Sequence, residues 1–381
     1  MNREQIHRAI VRRLLSLRGD CVERVRLVAR LYNDELLGGD SPARTFLFFP
    51  DLHLLSVQGR PKYRYGFQRL EGDRYVQRNV LLDRVCGTML DFGKKLPSGR
   101  SLTTVQLGDM LDLWREIEQP LDDVTGIVAR ILDGNPEVRK RLVGVGKTSL
   151  HPDVLVGNHD LRMNQSIELR RARRAIAYPI AGKRTLLVTH GDLFDTVEIA
   201  TPDAVVEWAI EKFGRGALPG THTLDRTAER KSEGISGPHG SPPIDLEDEA
   251  SSDLLPDWVN VWVTVAPCPE EELERSHGLL PVALMYAKAL RAGTARYLRW
   301  TRLRSALPDL RTMVIGHSHY ARICIHRDRN TPGNGLVLVD CGAWLEFSRF
   351  GGSTVPACQI GVLCGGDMRI YQLDPAARLY R

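Results

Sequence analysis

At 381 residues, 43% hydrophobic and 26% charged, the chain can bury a substantial core as one large domain with an insertion or as two domains, and its composition excludes collagen-like and disordered classes. The net charge of +5 is mild; taken as spread along the chain, it favours an anionic substrate only weakly and makes no case for nucleic acid. Seven cysteines, odd in number and without a CxxC pair, read as reduced thiols of a cytoplasmic protein, and no segment stays apolar long enough to span a bilayer.

Met1 to about Leu37 reads as helical, with apolar Ile6, Ile10, Leu14 and Leu17 set among arginines, and residues 1–40 form a helical extension closed by the turn Gly38-Gly39-Asp40-Ser41-Pro42. Its opening, MNREQIHRAIVRRLL, lacks the uninterrupted apolar stretch of a signal peptide. Two readings compete for this helix. Either it packs its apolar stripe on the core, or it lies on a membrane surface through Arg3, Arg8, Arg12, Arg13 and Arg18, which would make the protein peripheral to the inner membrane face.

Residues 41–195 follow the strand, loop, helix, strand pattern of an α/β unit. Short apolar runs in it end in metal-type residues: FLFFPDLH in Asp51 and His53, VQLGDMLD in Asp109 and Asp112, VLVGNHD in Asn158, His159 and Asp160, and LLVTHGD in His190. Residues 196–310 change character. Helical patterns bearing Trp208, Trp258, Trp262 and Trp300 flank a Gly-, Pro-, Ser- and acid-rich stretch near 234–255, which reads as a mobile surface loop. Residues 311–381 resume the strand pattern, with MVIGHSH ending in His317 and His319, then GLVLVD and Cys341-Gly342-Ala343-Trp344. The simplest organisation is one catalytic core, 41–195 and 311–381, interrupted by a helical, cap-like insertion.

The residue types make chemical sense together. Asp51 and His53 alternate, as do His317 and His319, so each pair projects to one face just past a strand. Gly108 lets the backbone bend ahead of Asp109, whose two carboxylate oxygens suit a bridge between two cations. Asp112, three residues on, reads as a cap or brace for a following helix. Asn158 adds an uncharged oxygen ligand. His159 beside it would face substrate, with Asp160 holding its imidazole so that it can protonate a leaving oxygen. One imidazole among apolar residues is usually a satisfied core histidine; several at strand ends, with the acids and the amide, point to a metal centre.

The ordered series DxH, GDxxD, GNHD, HGD and GHxH resembles the calcineurin-like metallophosphoesterase superfamily, over about Thr45 to Asp195 and Arg311 to Trp344. The resemblance implies a four-layer α/β/β/α sandwich with two divalent ions, usually manganese, iron or zinc. One ion would be held by Asp51, His53 and His319, the other by Asn158, His190 and His317, with Asp109 between them. His159 matches the family's general acid, with Asp160 as its partner. The implied reaction is hydrolysis of a phosphodiester, phosphomonoester or pyrophosphate bond of a phosphorylated small-molecule or lipid-linked substrate, by a hydroxide that two cations generate from water.

GDMLDLW, HGDLFD, GHSH and VDCGAW are similar to the branch of UDP-2,3-diacylglucosamine pyrophosphohydrolases, whose insertion forms an acyl-binding cap; Trp258 and Trp262 then read either as lining such a pocket or as packing the cap on the core. The chain departs from that branch in its length and in reading GNHD where those enzymes have GNRD. Arg322, just after GHSH, reads either as a contact to a substrate phosphate or as a packing residue. The basic cluster Arg170, Arg171, Arg173 and Arg174 reads as a solvated face or as a receptor for an anionic group, and lacks the interleaved aromatics of single-strand binders. The contrasting class is a scaffold that keeps the fold but has lost its metals; here no ligand position is missing.

Overall fold

The computed structural model describes residues 1–17, 22–37, 44–58, 76–113, 116, 123–157, 159–160, 162–180, 184–191, 309–317, 321–326, 336–344, 346–348, 354–356 and 358–375. They form an α/β architecture around two mixed sheets. The first sheet is built from β1 (Val22–Tyr32), β13 (Asp367–Pro375), β12 (Gln359–Cys364), β2 (Arg44–Phe49), β3 (Ser101–Gln106) and β4 (Asp153–Val154), hydrogen-bonded in that order. The second runs β5 (Ala175–Ile180), β6 (Arg184–Thr189), β7 (Leu310–Ile315), β9 (Leu336–Asp340), β8 (Arg322–His326). A separate short pair joins β10 (Glu346–Ser348) to β11 (Thr354–Pro356). In the first sheet β2, β3 and β4 are parallel and the remaining pairs antiparallel. The helix α3 (Val76–Lys94) lies within the crossover that parallel pairing of β2 with β3 requires.

Two cores explain the apolar runs. Phe46 and Phe48 of β2, Val105 of β3 and Met368 and Ile370 of β13 pack against Leu186, Val188, Val314, Val337 and Val339, so this core lies between the sheets. The alternate residues Leu47, Phe49, Ile360, Val362 and Leu373 face the helices instead: α1 (Arg3–Ser16), α3 and α4 (Val124–Asp133). A strand buried on both faces has no polar side to show, which is why β2 reads as the unbroken run FLFF. Among the described residues the layers are therefore helix, sheet, sheet. A second helical layer, and residues 196–308 of the expected insertion, lie outside the described residues.

The helical expectation for residues 1–37 is corrected. Helix α1 begins on a capping box, Asn2 accepting from the Gln5 amide and the Gln5 side chain accepting from the Asn2 amide, and ends at Ser16. Then comes the eleven-residue strand β1, paired antiparallel with β13, and the short helix α2 (Asp34–Leu37). Two register irregularities, at Val22/Arg24 and Leu27/Ala29, break the period-two pattern that would have marked β1 as a strand. Its arginines have partners on the neighbouring strand: Arg24 and Arg26 bind Asp374, and Arg30 binds Asp367.

Of the two readings of α1, packing on the core is the one observed. Ile6, Ile10 and Leu14 are fully buried against that core, so the apolar stripe is already used. His7 is buried with them, its ring nitrogens set against Tyr371 Oη (3.1 Å) and the Asp367 carbonyl (3.3 Å). Glu4 and Asp367 both bind Arg369, which ties the helix to β13. Among the described residues no helix is long and apolar enough to cross a membrane.

Candidate metal centre

Strands β2, β3, β6 and β7 release their candidate residues at their carboxyl ends, where open α/β sheets place ligands. Beyond β2 and β3 the two loops stay zipped together. The Leu52 and His53 amides donate to the Asp109 carbonyl (3.0 and 2.8 Å), the Leu54 amide to Met110 and the Asp112 amide to Leu54. From the second sheet, Ala343 bridges Asp51 in parallel and the Trp344 amide donates to the Asp51 carbonyl at 2.8 Å. This web holds three non-glycine residues in the left-handed region: His53 (φ 47°), Asp109 (φ 48°) and His317 (φ 67°). Such backbone costs roughly 1–3 kcal/mol each and persists only where the surroundings fix it.

Glycines permit the close approach. Gly108 has φ 92°, and a Cβ there would sit 2.8 Å from the His190 ring. At Gly157 a Cβ would overlap Asp109 Oδ1.

Each buried imidazole is held from behind. His190 Nδ1 lies 2.9 Å from the Leu107 carbonyl, which can only accept, so Nδ1 carries the proton and the Nε2 lone pair faces Asp109 Oδ2 at 3.1 Å. His53 Nδ1 lies 3.2 Å from Asp112 Oδ2, and its Nε2 is 3.5 Å from the same Asp109 oxygen. His159 Nδ1 lies 3.1 Å from Asp112 Oδ1, with its ring edge-on to His53 at 4.5 Å between centroids. One carboxylate therefore anchors two imidazoles. Anchoring of one nitrogen to free the other is the usual outer arrangement around metal-binding histidines.

The residues form two donor sets able to hold a metal ion: His53, Asp109 and His159, and Asp109, His190 and His317. Asp109 belongs to both. Its Oδ1 accepts the His159 amide at 2.9 Å, while the buried Oδ2 accepts no hydrogen bond among the described residues. A carboxylate oxygen facing two imidazole lone pairs is a repulsive arrangement until cations lie between them, so this donor set fits divalent ions.

Burial works against the Asp109 charge; positive charge on the His190 and His159 side, from protons on these rings where no cation lies between, outweighs it and holds the carboxyl well below its usual range. Burial pushes Asp51 up to about 6, with His190 opposing. Burial, with His159 adding to it, keeps His53 below the usual imidazole value.

Several expectations are revised. Asp112, expected as a cap or brace for a following helix, is the acceptor for His53 and His159, and residues 114–115 and 117–122 lie outside the described residues. Asp160 does not hold the His159 ring. It accepts the amides of Gly157 (2.7 Å) and Leu111 (3.2 Å), a strut between two loops, and burial raises its carboxyl to about 7. His159 lies close enough to His53 and Asp109 to be grouped with them as a donor. Asp51 is in neither group of described residues; its Oδ2 accepts the His317 amide at 2.9 Å, and His319, expected to share its ion, lies outside the described residues. Arg322 Nη2 is 3.8 Å from buried Asp340, across the β8–β9 pair. Asn158, His319, Trp258 and Trp262 lie outside the described residues. Glu116 went unnoticed in the sequence: it clamps Ser56, after the His53 loop, accepting from its amide (2.6 Å) and hydroxyl (2.7 Å). Only its buried position in the fold marks it.

No family model matches the sequence, and no curated protein matches it. Among solved structures, the chain is similar to a dimetal phosphatase from Danio rerio at 15% identity and a TM-score of 0.35, covering 88% of this chain and 100% of that one.

Proposed function

We propose that this chain is a dinuclear metal-dependent phosphoesterase of the calcineurin-like type, hydrolysing phosphomonoester, phosphodiester or pyrophosphate bonds. The observation that carries the reading is the pair of donor sets sharing Asp109, with imidazoles anchored through Nδ1. In this reading Asp109 would serve both sites, His53 with Asp51 one of them, and His190 with His317 the other, while His159, grouped with His53 and Asp109 by proximity, would act on the substrate. Asn158 and His319 complete them, as their places in the GNHD and GHSH blocks imply. When bound, two divalent cations, manganese being our first choice, supply Lewis-acid polarisation of the phosphoryl oxygens and lower the pKa of water.

The chain's own residues do the rest. His159 presents Nε2 towards the reacting group and gives its proton to the departing oxygen, and Asp112, on Nδ1, stabilises the ring while it is doubly protonated. Asp160 and Glu116 hold the loops that carry these groups. An acid at position 159 matters most for a poor leaving group, so simple mono- and diesters are the favoured substrates. The core would be 41–195 and 311–381, with 196–310 as a cap and a second helical layer completing a four-layer sandwich.

The test is a manganese-supplemented screen of p-nitrophenyl phosphate, bis-p-nitrophenyl phosphate and a nucleotide-diphospho-lipid, with Asp109→Asn as control. Turnover of an ester that Asp109→Asn abolishes, in a protein that remains folded, is the expected result. Near-wild-type turnover by Asp109→Asn in metal-replete buffer would sink the assignment, and selective cleavage of the lipid pyrophosphate would redirect it to the nucleotide-lipid branch.

A further inference from the structure

The positive excess of this chain is not spread evenly. Residues 139–174 hold nine Lys and Arg against three Asp and Glu, so this stretch alone exceeds the net +5 of the whole chain. Its three acids are all engaged. Glu168 gives both oxygens to Arg139 (3.1 and 2.7 Å), Asp153 accepts the Tyr178 hydroxyl, and Asp160 is buried in the candidate centre. Arg170, Arg171 and Arg173 are exposed, and none pairs with an acid among the described residues.

The turn that presents them is fixed. Met163, Leu169 and Ala172 are buried in the outer core, and the Val156 amide donates to the Arg173 carbonyl at 2.8 Å. Beside the arginines stands Ile167, 73% exposed, and the neighbouring loop after Arg139–Val143 carries Val145, 97% exposed, and exposed Lys147. The Arg139–Glu168 pair holds these two segments together. The patch borders the candidate centre: Arg162 follows Asp160 by two residues, and Arg174 Nη1 donates to the Val156 carbonyl (3.0 Å), just before Gly157.

From this we infer that the turn 162–174, with its exposed Arg170, Arg171 and Arg173 and protruding Ile167, docks the protein on an anionic lipid bilayer. Arginines at such a surface are attracted by the negative headgroups, and an exposed branched apolar side chain inserts between them. Helix α1 has no free apolar stripe for that role, having buried it in the core. A single-stranded nucleic acid would call for aromatic platforms, and residues 139–174 contain no Phe, Tyr or Trp.

The test is co-sedimentation of the full chain with phosphatidylcholine vesicles, with and without phosphatidylglycerol, alongside single-stranded and duplex DNA at the same salt. The expected result is salt-sensitive binding to the phosphatidylglycerol vesicles only. About five-fold per arginine predicts a loss of roughly hundred-fold in partitioning for Arg170→Ala/Arg171→Ala/Arg173→Ala. Ile167→Ser should weaken binding while leaving its salt dependence in place. Hydrolysis of a soluble ester by the triple variant should be unchanged. Equal binding to both vesicle types, undiminished binding by the triple variant, or tighter binding to DNA would overturn the inference. Because sedimentation needs no turnover, its outcome is separate from that of the phosphoesterase reading.

Discussion

Asp112 touches two imidazoles with its two oxygens, His53 on one side and His159 on the other. Asparagine at 112 keeps the shape but has one acceptor oxygen, so one imidazole must lose its anchor or flip its tautomer. Loss of an outer partner typically costs ten- to hundred-fold in metal affinity or activity. Asp112→Asn should therefore lower turnover by roughly that factor in a protein that unfolds like the wild type; unchanged turnover and metal content would show the carboxylate to be dispensable. The DxxD spacing made this residue visible in the sequence, but not its contact with two imidazoles. Chain neighbours suggested Asp160 for His159, whereas the partner comes from 47 residues upstream. Local spacing cannot report which of two buried acids a ring turns towards.

At the scale of elements, the strands behind the site were legible and the one at the sheet edge was not. Strands β2, β6 and β7 are buried on both faces, so each announces itself as an apolar run that stops at a polar ligand. Strand β1 hides its alternation behind two bulges and the arginines that bind Asp374 and Asp367. Helix α1 was recognised, and its packing gives two tests. Ile10→Ala should cost about 2–5 kcal/mol in denaturant unfolding, as truncations in a filled core do, while exposed Arg12→Ala should change little. Equal, small effects would mean that the helix is not docked.

His7 sits in the same contact and makes it sensitive to acid. Burial lowers its pKa to about 4, with Arg369 acting in the same direction. An unfolded histidine takes its proton near 6.5, so as pH falls from about 6.5 to about 4 the unfolded state gains a proton that the folded state refuses. Stability conferred by neutral His7 is thus complete above the unfolded value and is lost on acidification, by up to about 3 kcal/mol. Carboxyls raised by burial, Asp51 and Asp160, act in the opposite sense across overlapping pH, so the effect must be read as a difference. The stability gap between wild type and His7→Gln should move against the wild type as pH drops through this window. A gap that stays constant with pH would rule out this burial of His7.

For the whole molecule, the two sheets meet around a shared apolar core and turn their ligand-bearing loops to one edge, and residues on both sides of 192–308 contribute strands to both sheets. The metal-type residues were readable because each follows a strand that can be seen in the sequence. What the sequence could not give was Glu116 and the contacts made by Asp112 and Asp160, because these join loops far apart in the chain. The measurement that bears most directly on this arrangement is metal content of the purified protein and of Asp109→Asn after equilibration with manganese, by elemental mass spectrometry. Two divalent ions per wild-type chain and a clear deficit in Asp109→Asn is the expected result. No stoichiometric metal in the wild type, or two ions retained without the Asp109 carboxylate, would contradict a centre built on that shared oxygen.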